Sequence, residues 1–263
     1  MSGVRRARAG VGLACAVLAV AAVTAVTAGP AAAAERSGDT RTVRPADIRG
    51  PLGDERLSDE RRLSRYAGAL SQATVRAHPR RDARAVGRLR YLTEDGPYET
   101  YPVLESHVDA GGSTWLRIRL PQRPNGRTGW VPRSEVGRLK AVRTMLRVNR
   151  ATRRATLYRD GRRIWSSPVG VGARSTPTPA GTFWIRSRLR GLAGSPAYGP
   201  YAFGTGAYST LSDWPGGGVI GIHGTDQPGL IPGNPSHGCV RVPNDAIRRL
   251  WPLLPVGTPV VIL

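Results

Sequence analysis

Apolar and polar positions alternate through much of this chain. In Trp115-Leu116-Arg117-Ile118-Arg119-Leu120 a period of two puts Leu116, Ile118 and Leu120 on one face and Trp115, Arg117 and Arg119 on the other, as in a half-buried strand. Similar short runs at 73–77, 85–91, 98–104 and 129–131 are separated by Pro79, Asp95-Gly96-Pro97, Asp109-Ala110-Gly111-Gly112 and Asn125-Gly126, so a small β-barrel is predicted over 73–139. Farther on, 155–159 and 162–169 flank Asp160-Gly161, a dipeptide suited to the positive φ angles of a tight type I′ hairpin. Residues 181–189, 219–223 and 258–263 read as further strands, 219–223 as a buried one. Ile247, Leu250 and Trp251 share a helical face that ends at Pro252, with Asn244 as N-cap. A second short helix over 59–70 is predicted from Ser58 as cap and from the spacing of Leu63, Tyr66, Ala67 and Leu70. The fold class is therefore mainly β with one or two short helices.

The ends of this pattern are different. Arg5, Arg6 and Arg8 precede an Ala-rich apolar run from Val11 to Ala28, and Ala32-Ala33-Ala34 follows. These are the n-region, h-region and small-residue cleavage site of a secretory signal peptide over 1–34. Residues 35–72 are polar and charged and read as a flexible linker. Residues 190–214, rich in Gly, Pro, Ser and Tyr, are too long for a simple connection and are expected to form a lid or binding loop.

Charge narrows the partners. The formal net charge is +21, and removal of 1–34 takes three arginines and no acids, leaving 36 basic and 18 acidic residues. Such an excess favours polyanions. No helix-turn-helix, zinc-finger or base-stacking pattern accompanies it, so no nucleic-acid partner is expected and anionic wall polymers of a cell envelope are the simpler choice. All basic residues but Lys140 are arginine, which fits a compositional bias equally well.

The chemistry concentrates in 218–244. The chain has two cysteines and four histidines; Cys239, His223 and His237 all fall in this stretch, while Cys15 lies in the segment to be removed. A thiol attacks as its thiolate, which a nearby imidazole supplies by taking the proton. Gly238, directly before the sulfur, lets backbone N–H groups approach a substrate oxygen. His223 stands sixteen positions upstream and His237 two, and spacing alone favours neither as the base. Zinc held by His223, His237 and Cys239 has suitable ligand types but no fourth ligand. Papain-like hydrolases place Cys before His, the reverse of the order here.

His223-Gly224-Thr225, Pro228, Ser236-His237-Gly238-Cys239-Val240-Arg241 and Asn244 together resemble the signature of bacterial L,D-transpeptidases, cysteine enzymes that cross-link peptidoglycan. Thr178-Pro179-Ala180-Gly181-Thr182-Phe183 and Tyr198-Gly199-Pro200-Tyr201-Ala202 agree, so the resemblance covers 140–263. Arg127-Thr128-Gly129-Trp130-Val131 resembles a bacterial SH3-like domain over 73–139. The resemblance implies a β-sheet scaffold with a cleft beside Cys239, His223 as base, and Ser236, His237, Gly238, Arg241, Thr225 and Tyr201 as substrate-binding or oxyanion-supporting residues. It also implies peptidoglycan stem peptides as substrate, covalent inhibition by carbapenem β-lactams, and no metal or cofactor. Stem trimming by hydrolysis, and a non-catalytic wall-binding protein on the same fold, are the alternatives.

Overall fold

The computed structural model describes residues 55–191, 195–213 and 215–263. The expected signal peptide and the first part of the expected linker lie outside them. Among the described residues the architecture is mainly β, with one short α-helix and two sheets.

The first sheet comprises β1 (Glu55–Arg56), β2 (Ser64–Gly68), β3 (Thr74–Arg76), β4 (Ala85–Arg88), β5 (Thr100–Val108), β6 (Thr114–Arg119), β7 (Thr128–Pro132) and β8 (Lys140–Val142). Their order is β4-β3-β7-β6-β5-β2-β8, with β1 paired to β5. Leu116, Ile118 and Leu120 enter the core with Leu57, Val75 and Val103, as their alternation requires. Trp115, on the other face, is also buried, and its Nε1 donates to Asp109 at 2.9 Å.

Over the described residues 55–68, the expected linker and helix give way to two strands. Asp59 Oδ1 accepts the backbone N–H groups of Arg61, Arg62 and Leu63, and Glu60 adopts φ 55°, which stops helical propagation. The chain then extends into β2, which pairs with β5 and β8. A short amphipathic segment has little helical stability of its own, so two flanking strands decide its conformation. Ser58, the expected cap, instead accepts the N–H of Arg65 at 2.8 Å.

The second sheet contains β9 (Thr144–Asn149), β10 (Arg154–Arg159), β11 (Arg162–Pro168), β12 (Gly170–Gly172), β13 (Gly181–Arg190), β14 (Tyr201–Tyr208), β15 (Val219–His223), β16 (Gly233–Ser236), β17 (Val240–Arg241) and β18 (Pro259–Ile262), with α1 (Asn244–Leu250) after β17. The order is β11-β10-β9-β18-β13-β14-β15-β17-β12-β16. Asp160 at φ 50° and Gly161 at φ 79° make the expected hairpin turn.

The centre of the expected 190–214 loop, Tyr201–Tyr208, is strand β14, at the middle of the sheet between β13 and β15. Its glycines mimic a loop composition but serve packing. A Cβ on Gly206 would stand 2.4 Å from the Trp184 ring, and one on Gly204 would stand 2.4 Å from Ser187 Oγ. The helix over Asn244–Leu250 forms as predicted, packing Ala246, Ile247 and Leu250 inward. Asn244 is its first residue rather than its cap, and its side chain bonds elsewhere.

The two sheets meet through polar contacts. Trp184 Nε1 donates to the Thr100 carbonyl at 2.8 Å. Arg186, 2% exposed, donates to Glu99 and to Glu94. Burial alone would raise the Glu94 carboxyl, yet Arg186 and the Tyr208 hydroxyl hold it down at about 2.

Gly206→Ala forces a methyl into the Trp184 ring and is expected to cost about 1–3 kcal/mol. Urea unfolding should show a lower midpoint at unchanged slope; an unchanged midpoint would mean that Trp184 has room to yield.

Candidate active site

β15 and β17 run parallel, with Ile222 opposite Val240 and His223 opposite Arg241. Because side chains alternate along a strand, this register turns His223, Arg241 and Cys239 to one face and sends Ile222 and Val240 into the core. Gly221 stands level with the cysteine, and its N–H donates to Cys239 Sγ at 3.3 Å. A Cβ on Gly221 would lie 3.5 Å from His223 Cδ2 and 3.8 Å from Cys239 Sγ. The imidazole edge and the sulfur therefore flank one point, left open by the missing side chain. Cys239 keeps partial exposure to solvent, while His223 is buried.

The turn before the cysteine is held from several sides. Ser236 Oγ donates to the Cys239 carbonyl at 2.6 Å and accepts the Gly238 N–H at 3.1 Å. Gly238 takes φ 123°, a conformation that needs glycine. Thr178, fully buried, donates to the Gly238 carbonyl and accepts the Gly172 N–H, both at 2.8 Å. Ser209 Oγ reaches the His237 carbonyl at 3.4 Å. The first sheet braces Ser209 in turn. Arg123 Nη2 donates to the carbonyls of Ser209, Leu211 and Gly217 at 2.9–3.0 Å. Asn125 pairs with both backbone groups of Tyr208.

Behind His223 the chain is equally constrained. Its Nδ1 lies 2.6 Å from the Gly224 carbonyl. A carbonyl only accepts, so Nδ1 carries the proton and Nε2 the lone pair. The Tyr198 ring packs against the imidazole at 4.8 Å. Asn244 Oδ1 accepts the Thr225 N–H at 2.9 Å, and a Cβ on Gly199 or Gly224 would meet that oxygen at 2.3 Å. These contacts bind α1 to the His223-Gly224-Thr225 turn.

Burial sets the protonation states. The imidazole is lowered to about 4, chiefly by burial and in part by Arg241, against the Gly224 carbonyl, which pulls the other way. Burial pushes the Cys239 thiol up, against the Gly221 amide and Arg241, which pull it down. At neutral pH the resting pair is a neutral imidazole and a thiol.

The structure thus brings together Cys239, His223, Ser236, Gly238 and Arg241. Arg241 forms no ion pair among the described residues; its Nη1 donates to Gln227 at 3.1 Å. Thr225 is buried and shapes the turn, its hydroxyl accepting the Gln227 N–H at 3.0 Å. The His237 side chain is exposed. Tyr201 is not at the pair: Ala202 is opposite His223, which puts Tyr201 on the reverse face, stacked on Trp251 at 4.5 Å. Among the described residues no group of three His, Cys, Asp or Glu side chains is placed to hold a metal. Sequence reasoning missed Gly221, Ser209 and the role of Thr178. A glycine two places before the histidine was the available signal for the first.

Residues 143–262 match the family model of the L,D-transpeptidase catalytic domain, YkuD. The YkuD protein of Bacillus subtilis (strain 168) is 35% identical over 107 residues, 41% of this chain and 58% of that protein. The YkuD protein of Bacillus licheniformis is 34% identical over 106 residues, 40% of this chain and 57% of that protein. The chain thus spans little more than half the length of these relatives. A solved mutant of the Enterococcus faecium L,D-transpeptidase is 26% identical, covering 46% of this chain and 49% of that one, with a TM-score of 0.36.

The buried imidazole couples stability to pH. The unfolded chain takes up a proton near pH 6.5 and the folded one near 4, so stability falls as pH drops through that window, by up to about 3 kcal/mol. In His223→Asn this dependence should vanish. Denaturant unfolding of both proteins at pH 4.5 and 7 checks it; a wild-type-minus-variant difference that is independent of pH would contradict the burial argument.

Proposed function

We propose that this chain is an exported L,D-transpeptidase that forms a thioester on Cys239 with a peptidoglycan stem tetrapeptide. The observation that carries the reading is the shared position of the His223 ring edge and Cys239 Sγ beside Gly221. The thiol attacks the carbonyl of the third residue, a diamino acid, as His223 Nε2 takes its proton. The tetrahedral intermediate collapses with cleavage of the bond to terminal D-Ala, and the imidazolium returns its proton to the departing amine. A side-chain amine of a second stem then attacks the thioester, giving its proton to Nε2, and the thiol is regenerated. Water in place of that amine yields a trimmed stem.

The oxyanion is assigned to the Cys239 amide, since the Gly238 N–H is committed to Ser236. One such donor contributes roughly 10²–10³-fold in rate. Arg241 borders the same face and is suited to a substrate carboxylate. His237 and Thr225 shape the approach, the first from the exposed rim and the second from beneath the turn. The first sheet is proposed as an SH3-like module. The same thiol would open a carbapenem ring to a stable acyl-enzyme.

Incubation with a defined tetrapeptide muropeptide, read by mass, tests the proposal. Dimers lacking one D-Ala are expected from the wild type. Cys239→Ala and His223→Asn should each lose at least about 10³-fold. Tripeptides alone would show hydrolysis instead, and unchanged turnover by Cys239→Ala would remove Cys239 as the nucleophile.

A further inference from the structure

A second, cationic groove of about 970 Å³ lies where the 56–62 segment faces β9, β10, β13 and β18. Arg56, Arg61, Arg62 and Arg147 border it, and Met145, Tyr158 and Val261 give it an apolar floor. Strand β14 separates this part of the sheet from the strand that carries His223.

The two acids in its lining offset only part of this charge: Glu60 is paired with Arg119, and Asp59, held ionised by its own turn, lies in the field of Arg56. Glu60 accepts two hydrogen bonds from Arg119, each 2.7 Å long. Asp59 Oδ1 accepts three backbone N–H groups within its own turn. Arg61, Arg62 and Arg147 are exposed and make no ion pair among the described residues. Three uncompensated cations around one concave surface produce a local positive potential that follows from placement rather than from overall composition.

The chemistry of the lining selects the anion. A guanidinium fork meets two oxygens of a phosphate at once, and several forks along a groove reward a ligand with repeated phosphates. Between the cations the floor is thioether, aliphatic and one phenol ring, which suits CH-rich spacers. Single-stranded nucleic acid relies on successive aromatic platforms, and Tyr158 is the one aromatic side chain among these lining residues. We propose that this groove binds a polyol-phosphate chain, a phosphodiester polymer with alditol spacers, and so holds the protein on an anionic wall polymer. The groove makes no use of Cys239, and its occupancy is read without turnover, so it stands or falls apart from the acyl-transfer reading.

The test is fluorescence anisotropy of the purified full chain with end-labelled poly(glycerol phosphate). Two variants lose equal charge: Arg61→Ala/Arg62→Ala/Arg147→Ala in the groove, and Arg81→Ala/Arg84→Ala/Arg248→Ala at exposed positions outside it. The groove variant should bind at least about tenfold more weakly and show a shallower salt dependence, the control less than about twofold. Far-ultraviolet circular dichroism should be the same for all three proteins, and Arg61→Glu alone should reproduce the loss if the triple variant misfolds. Equal losses in the two triple variants would overturn the proposal. So would tighter binding of a single-stranded oligonucleotide, or equal binding of poly-L-glutamate, at matched charge.

Discussion

The parallel pairing of β15 with β17 is the constraint on which this site depends. Strand β17 is only two residues long, yet its register decides which side of the sheet the sulfur faces. A slip of one residue would send Cys239 toward the core and bring Val240 to the surface. What opposes the slip is burial of Val240 and Val242, both without exposure, and of Ile222 at 1%. The backbone adds its part, since the Val242 N–H donates to the His223 carbonyl at 2.8 Å. Hydrophobic burial on one face thus fixes the chemistry on the other.

The same burial that fixes the geometry sets its electrostatics. Removing water disfavours both the imidazolium and the thiolate, so the resting pair stays neutral. Arg241 acts on the two partners in opposite senses: it favours the thiolate and disfavours the imidazolium. Its field therefore contributes little to forming the ion pair as a whole and much to a thiolate whose proton has left.

The alternation of Leu116, Ile118 and Leu120, the Asp160-Gly161 hairpin and strand β15 were legible because each is a local signal: a period of two, a turn dipeptide, a continuous apolar run. Strand β14 was hidden because Gly204 and Gly206 are there for the sake of Trp184 and Ser187, and no local pattern announces a contact with another strand. Strand β2 was hidden because Leu63, Tyr66, Ala67 and Leu70 fit a helix, while pairing with β5 and β8 overrode that preference. In the site, Cys239 and His223 stood out by rarity and spacing. Tyr201 shared their motif neighbourhood, but strand alternation carries it to the reverse face, against Trp251. Asn244 had a sufficient local explanation as a helix cap, and that explanation masked its long-range bond to Thr225.

The first sheet contributes to this site through a relay that no local pattern could reveal. Arg123 gathers three carbonyls from the segment following β14, and Asn125 pairs with Tyr208 as a neighbouring strand would. That segment presents Ser209 to the His237 carbonyl, one residue before Gly238 with its positive φ. Two of the three Arg123 contacts are exposed to solvent, where water could replace them at small cost. The value of the relay is therefore geometric rather than energetic: water satisfies the same carbonyls but does not fix where they stand. A glycine beside Cys239 is free to take many backbone conformations, so surrounding contacts must select this one. Thr178 and Ser236 hold it from within the second sheet, and Ser209, braced by Arg123, holds it from the side that the first sheet faces.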